Sequence, residues 1–93
     1  MIIGFLRVRV HIPLCNSLKE KRSVIKKHLH RLRKNYNIGI SEIDDLDLWQ
    51  SCQIGVVTIG SLKESIDKTL RAVLKDLETS SDIQVMDFKT EYI

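Results

Sequence analysis

From Ile2 to Ile12 the side chains alternate. Gly4, Leu6, Val8, Val10 and Ile12 fall on one face, and Phe5, Arg7, Arg9 and His11 on the other. A period of two over this length predicts a half-buried strand, which Pro13 ends because it has no N–H for a ladder. The period then changes. Leu18, Ile25, Leu29, Leu32 and Tyr36 are spaced by 7, 4, 3 and 4, one face of a helix over Ser17 to Tyr36. Ser17-Leu18-Lys19-Glu20 fits a capping box, in which Ser17 accepts from the Glu20 amide and Glu20 reaches back to the Ser17 amide. Asn37 to Ile43 is a second strand, and Asp44-Asp45-Leu46-Asp47 an acidic turn.

From Trp49 to Ile59 both faces of a β-rich run are fairly apolar, as a central strand requires, and Gly60 closes it. Ser61-Leu62-Lys63-Glu64 repeats the earlier tetrapeptide and opens a second helix, with Leu62, Ile66, Leu70, Val73, Leu74 and Leu77 as its apolar set. The repeat fits either an internal duplication or two independent capping boxes. Ile83 to Tyr92 closes the chain as a strand. The order β-α-β-β-α-β, with right-handed crossovers, predicts one α+β domain over residues 1–93: a ferredoxin-like sandwich with a four-stranded antiparallel sheet and both helices on one face.

Charge sharpens the picture at one element. Ser17 to Tyr36 holds eight of the fifteen Lys and Arg residues and one acid, Glu20, so it carries 8 − 1 = +7 in a chain of net +3. The other 73 residues therefore sum to −4. Beside the apolar face run Lys19, Arg22, Lys26, His30 and Arg33, a continuous stripe suited to following phosphates. Lys27, Arg31 and Lys34 extend the charge, and the competing reading is a solvated face balanced by acids such as those from Glu42 to Asp47. Lys21, on the opposite flank, and Arg22 stand in the first turn, where amide donors and cations together make a candidate anion site.

The helix-free sheet face is a second candidate surface. Arg7 and Arg9 point there with Phe5 and His11, but no pair of stacking aromatics accompanies them. Val57, Ile59 and Val85 would make the same face a homodimer interface, which is the favoured reading of it. No apolar run approaches the roughly 18 residues of a membrane span, and the basic helix needs its apolar side for the sheet, so no membrane partner is expected. The two cysteines, Cys15 and Cys52, form no CxxC pair and read as reduced structural thiols in a cytoplasmic protein. His11, Cys15, Trp49 and Cys52 should lie near one another but lack metal-site spacing; Trp49 reads as a packing anchor for the turn before the third strand. No nucleophile and base stand at motif spacing, so no catalytic residue, metal or cofactor is expected. Acylphosphatases share this size and topology, but their glycine-rich phosphate loop has no counterpart between Pro13 and Ser17.

His11-Ile12-Pro13, Ser17-Leu18-Lys19-Glu20-Lys21-Arg22, Arg31-Leu32-Arg33, Glu42, Asp47-Leu48-Trp49-Gln50 and Gly55-Val56 together resemble the YlxP-like family of small bacterial domains. The resemblance implies a ferredoxin-like fold, a cytoplasmic setting and, through a link to translation and ribosome-maturation genes, an RNA or ribosomal partner. It implies no catalytic residues. Cys15 departs from the family pattern and is not carried over as a functional residue. The resulting expectation is a non-enzymatic domain that binds RNA or a ribosomal particle through the α-helical stripe, with Arg7 and Arg9 as a second surface. The alternative is a protein-interaction module whose basic helix docks an acidic partner.

Overall fold

The alternation along the first strand separates two environments. In a computed structural model, which describes all 93 residues, Gly4, Leu6, Val8, Val10 and Ile12 are buried beneath the helices, while Arg7 and Arg9 are exposed on the other side. The elements are β1 (Ile2–His11), α1 (Leu18–Asn35), β2 (Gly39–Asp44), β3 (Ser51–Gly60), α2 (Lys63–Thr79) and β4 (Gln84–Tyr92). The sheet order is β2-β3-β1-β4, and every neighbouring pair is antiparallel. This is the α+β ferredoxin-like arrangement. The two strands with the most apolar faces, β1 and β3, take the centre and pair over Ile2↔Gly60 to His11↔Ser51.

Sixteen buried apolar residues form one core between sheet and helices, each large side chain contributing about 1.5–3 kcal/mol on burial. From α2 come Ile66, Leu70, Val73 and Leu77, as their spacing predicts. The inward stripe of α1 differs from expectation: it is Lys21, Ile25, His28 and Leu32, with two polar members. Leu29 and Tyr36 pack only at its margin. Apolar periodicity could not find this stripe, because half of it is not apolar.

The two SLKE segments have different jobs. Ser17 is the N-cap of α1 and its hydroxyl accepts from the Glu20 amide at 3.1 Å. The Glu20 carboxylate reaches past Ser17 to accept from the Asn16 amide at 2.9 Å. The N-cap of α2 is Leu62, with no side-chain bond, so Ser61 caps nothing and the second capping box does not form.

Two bulges re-aim the edge strands. On β2 the ladder passes from Glu42↔Ile54 to Asp44↔Gln53, leaving Ile43 unpaired on β2. Ile43 thereby covers Gly55 on the helix-free face, while Glu42, opposite buried Ile54, turns toward α1. On β4 the partner of Arg9 is Asp87 and that of Val10 is Val85, so Met86 is skipped. That slip turns Val85 against the core, which corrects its expected place on the helix-free face.

Close approach of α2 to β1 leaves no room at Gly4, where a Cβ would stand 2.5 Å from Ile66 Cγ2 and 2.9 Å from Leu70 Cδ1. Ile66 is β-branched and fully packed, so it cannot yield cheaply. Gly4→Ala should destabilise the fold by about 1–3 kcal/mol through overpacking, read as a lower urea midpoint with an unchanged m-value.

Candidate functional site

The eight cations of α1 are sorted by the fold into three with acidic partners and five without. Lys21 pairs with Glu42 at 2.8 Å, Lys27 with Asp82 at 2.7 Å and Arg31 with Asp76 at 2.5 Å. Lys19, Arg22, Lys26, Arg33 and Lys34 have no acidic partner. The expected Glu42–Asp47 segment balances one cation, Lys21, while Lys27 and Arg31 are met by acids of α2 and its following loop.

Of the proposed stripe, Lys19, Arg22, Lys26, His30 and Arg33 are all exposed along α1. At about 1.5 Å per residue, Lys19 to Arg33 spans about 21 Å. Arg33 also reaches the edge of β2, where Nη2 donates to the Ile40 carbonyl at 2.9 Å. Arg22, Lys26 and Arg33 line a shallow groove of about 340 Å³ between α1 and β2, floored by Ile25 and Leu29, with Glu42 at its edge. Arg33 thus has a defined position, while Arg22 and Lys26 keep free ammonium and guanidinium donors.

The anion site expected at Lys21 and Arg22 does not form, because Lys21 points inward. Its side chain is 1% exposed, its Nζ donates to the Asp45 carbonyl at 2.5 Å, and Glu42 Oε2 lies beside it. The ammonium thus has both a counter-charge at 2.8 Å and a carbonyl acceptor. Asp45 takes a left-handed φ of 61°, and its carboxylate accepts from Ser51 Oγ at 3.0 Å. Cys52 lies beside the pair: burial first, and the Glu42 charge second, push its thiol up to about 12. Such a thiol is unreactive. Lysine spacing alone could not separate Lys21 from its neighbours. The signal available was its place on the flank opposite the stripe, with no acid within α1 to meet it.

His28 was missed in the sequence. It is 2% exposed, with Nε2 bonded to Asp82 Oδ1 at 2.8 Å and Nδ1 buried without a partner. Since a carboxylate only accepts, Nε2 carries the proton. Burial lowers the His28 pKa, outweighing the opposing pull of Asp82. Desolvation acts to raise the Asp82 carboxyl, but hydrogen bonds from Lys27 and His28 win and hold it below the usual range.

On the helix-free face, Arg9 meets Asp87 at 2.8 Å, a solvent-exposed pair that adds little to stability. Arg7 stands between Gly55 and Lys89 with no acidic partner. An apolar part of that face surrounds Phe5, Ile43, Val57 and Ile59, beside the charged Lys89 and Glu91. Arg7 and Arg9 therefore lie on the sheet face opposite the helices, and they do not join the stripe into one surface.

The His11, Cys15, Trp49 and Cys52 set is committed elsewhere. His11 Nδ1 donates to the Gln50 carbonyl at 2.9 Å, and Cys15 Sγ donates to the Ser17 carbonyl at 3.3 Å. Trp49 is 53% exposed and is not the packing anchor its size suggests. Gln50 fills that role: its carbonyl also accepts from Ile12 N–H at 2.9 Å, and its Nε2 donates to the Cys15 carbonyl at 3.0 Å. No group of three His, Cys, Asp or Glu side chains converges. No helix is long and apolar enough to cross a membrane.

A family model described as a protein of unknown function, DUF503, matches residues 3–90. The chain belongs to the DUF503 family. It is 34% identical over 91 residues to the uncharacterized protein YlxP of Bacillus subtilis (strain 168), covering 98% of this chain and 99% of that one. Among solved structures it is similar, at 15% identity and a TM-score of 0.42, to the full extracellular region of zebrafish Gpr126/Adgrg6. That match covers 97% of this chain and 13% of the other, and a similarity of this size carries no functional argument. The family description assigns no activity, so the residues above are the ground for any reading of function.

Two expected outcomes follow from the buried groups. Glu42→Ala leaves the Lys21 ammonium buried and unpaired, and should cost about 3–5 kcal/mol in chemical denaturation; adding Lys21→Met should recover most of that loss. Separately, His28 has a pKa below its ordinary 6.5, so its contribution is complete above pH 6.5 and is lost as pH falls through the lowered value. The slope is bounded by about 1.4 kcal/mol per pH unit, the value for one proton. His28→Gln should flatten the denaturation free energy in this window, whatever its effect on absolute stability.

Proposed function

We propose that this protein is a non-enzymatic domain that binds structured RNA or a ribosomal particle through the exposed basic stripe of α1. One observation carries the reading: five cations of this helix lie without acidic partners while three of their neighbours are paired. Charge left free along some 21 Å of one helix is a surface suited to a phosphate backbone. Lys19, Arg22, Lys26, His30 and Arg33 position phosphates, and the groove between α1 and β2 gives Arg22 and Lys26 a concave approach. Contacts of this kind read shape more than sequence. Arg7 is the remaining free cation of the opposite face, and Arg9 has its charge met by Asp87. A protein partner with an acidic surface is the alternative occupant of the same stripe, and the experiment below separates the two.

Arg22 and Lys26 are the positions to reverse, because neither makes a bond that the fold needs, whereas Arg33 holds the Ile40 carbonyl. Arg22→Glu with Lys26→Glu should leave thermal stability nearly unchanged and release the protein from ribosomes in co-sedimentation across a salt series. For wild type, log affinity for RNA should fall linearly with log salt, and the double variant should lower that slope by about 1.4, at about 0.7 per phosphate contact. Equal co-sedimentation of variant and wild type would sink the proposal. Retention that survives nuclease treatment of the particle would favour the acidic protein partner.

A further inference from the structure

The sheet ends in two edges that are built differently. β2 has six residues, carries the bulge at Ile43, and has its Ile40 carbonyl taken by Arg33. An edge blunted in this way does not template another strand. β4 has nine residues, and from Asp87 to Tyr92 it is regular. Ile3 and Ile93 exchange both backbone bonds, at 3.0 and 2.8 Å, so residues 91, 89 and 87 face β1 by alternation. The N–H and C=O groups of Phe88, Thr90 and Tyr92 therefore face outward. No backbone bond outside the regular ladders engages them.

We propose that a second copy of this chain pairs its β4 antiparallel with this β4 about a twofold axis through Thr90, joining two four-stranded sheets into one of eight strands. Closed twofold pairing places the same strand on itself, so the side chains of β4 decide the register. With the axis at Thr90, Thr90 meets Thr90 and Phe88 meets Tyr92 in the outward-bonding positions. Lys89 then lies opposite Glu91 twice over. Aromatic pairs, threonine pairs and opposite charges are the favourable cross-strand combinations.

The neighbouring registers are worse. An axis at Lys89 sets Lys89 against Lys89 and Asp87 against Glu91, all like charges. An axis at Phe88 carries the ladder into the bulge at Met86, where pairing breaks. An odd shift would place helix-side residues of one copy against open-face residues of the other.

The surroundings of the edge suit this occupant. Phe88, Thr90 and Tyr92 pair with Val8, Leu6 and Gly4, so their side chains lie on the helix side. There a cavity of about 430 Å³ opens between α2 and β4, lined by Leu70, Leu74, Phe88 and Tyr92 among others. Tyr92 is held in place by its hydroxyl on Asp67 and by Lys63 over its ring. Phe88 is 53% exposed, and in the pair its ring lies across from the Tyr92 of the second copy. Lys89 and Glu91 are both more than half exposed and meet each other at 3.4 Å along the strand, a loose surface contact that the pairing exchanges for the same two charges between copies. Because α1 packs over β2, at the far edge of the sheet, both basic stripes remain uncovered. The pairing is thus independent of the RNA reading.

Sedimentation over a dilution series tests this, with circular dichroism to check each variant's fold. Wild type should dissociate reversibly from dimer to monomer. Thr90→Pro removes an outward N–H at a free edge, where proline is tolerated, and should give a monomer. Lys89→Glu should raise the dissociation midpoint about tenfold or more, and adding Glu91→Lys should restore it. The charge pair decides the matter if Thr90→Pro does not fold. Wild type that is monomeric at every concentration reached overturns the proposal, as does a swap that fails to restore pairing. A dimer broken by Val57→Asp but not by Lys89→Glu would place the contact on the helix-free face, and would overturn it too.

Discussion

A lysine in the core fixes how α1 sits on the sheet. Lys21 is as buried as the leucines around it, and its ammonium must find both a charge and an acceptor. Glu42 supplies the charge and the Asp45 carbonyl the acceptor. Neither is available unless β2 is bulged at Ile43 and the chain turns left-handed at Asp45. An apolar side chain there would tolerate some sliding of the helix. A charge with one counter-charge and one carbonyl does not, so the registry of α1 against β2 and β3 is set at this point.

The same registry decides which positive charges remain free. With Lys21 turned inward, the helix rotates Lys27, His28 and Arg31 toward the acids of α2 and its following loop, where Asp76 and Asp82 meet them. What is left outward is Lys19, Arg22, Lys26, Arg33 and Lys34, with His30 exposed among them. The stripe is therefore a remainder after three pairings. Such pairs gain little stability against apolar packing, but they use charge where the helix meets its neighbours and leave the rest exposed to solvent. The His28–Asp82 contact adds a pH-sensitive tie between α1 and the loop that leads from α2 into β4.

Bulges do comparable work at the two edges. At Ile43 the extra residue turns Glu42 to the helix side and blunts the β2 edge. At Met86 it turns Val85 into the core and leaves the outer half of β4 regular. One extra residue per strand thus changes both what the helices meet and which edge another strand could use.

Strand and helix positions, their order and the antiparallel sheet were legible in the sequence, because period-two and period-3.6 patterns report burial directly. The exposed stripe was legible for the same reason, since residues beside an apolar face must lie on the surface. Lys21, His28 and Val85 were not. A buried lysine looks like a solvated one until its partner is known, and Glu42 lies 21 residues away in sequence across a turn. Val85 was placed on the wrong face because a bulge breaks alternation without leaving a mark in the pattern. Trp49 misled in the opposite way: its size suggested an anchor, yet the loop is held by the backbone and amide of Gln50. Local periodicity fixes which elements form. Which charges are spent and which remain free depends on contacts between elements far apart in sequence, and only the tertiary structure decides them.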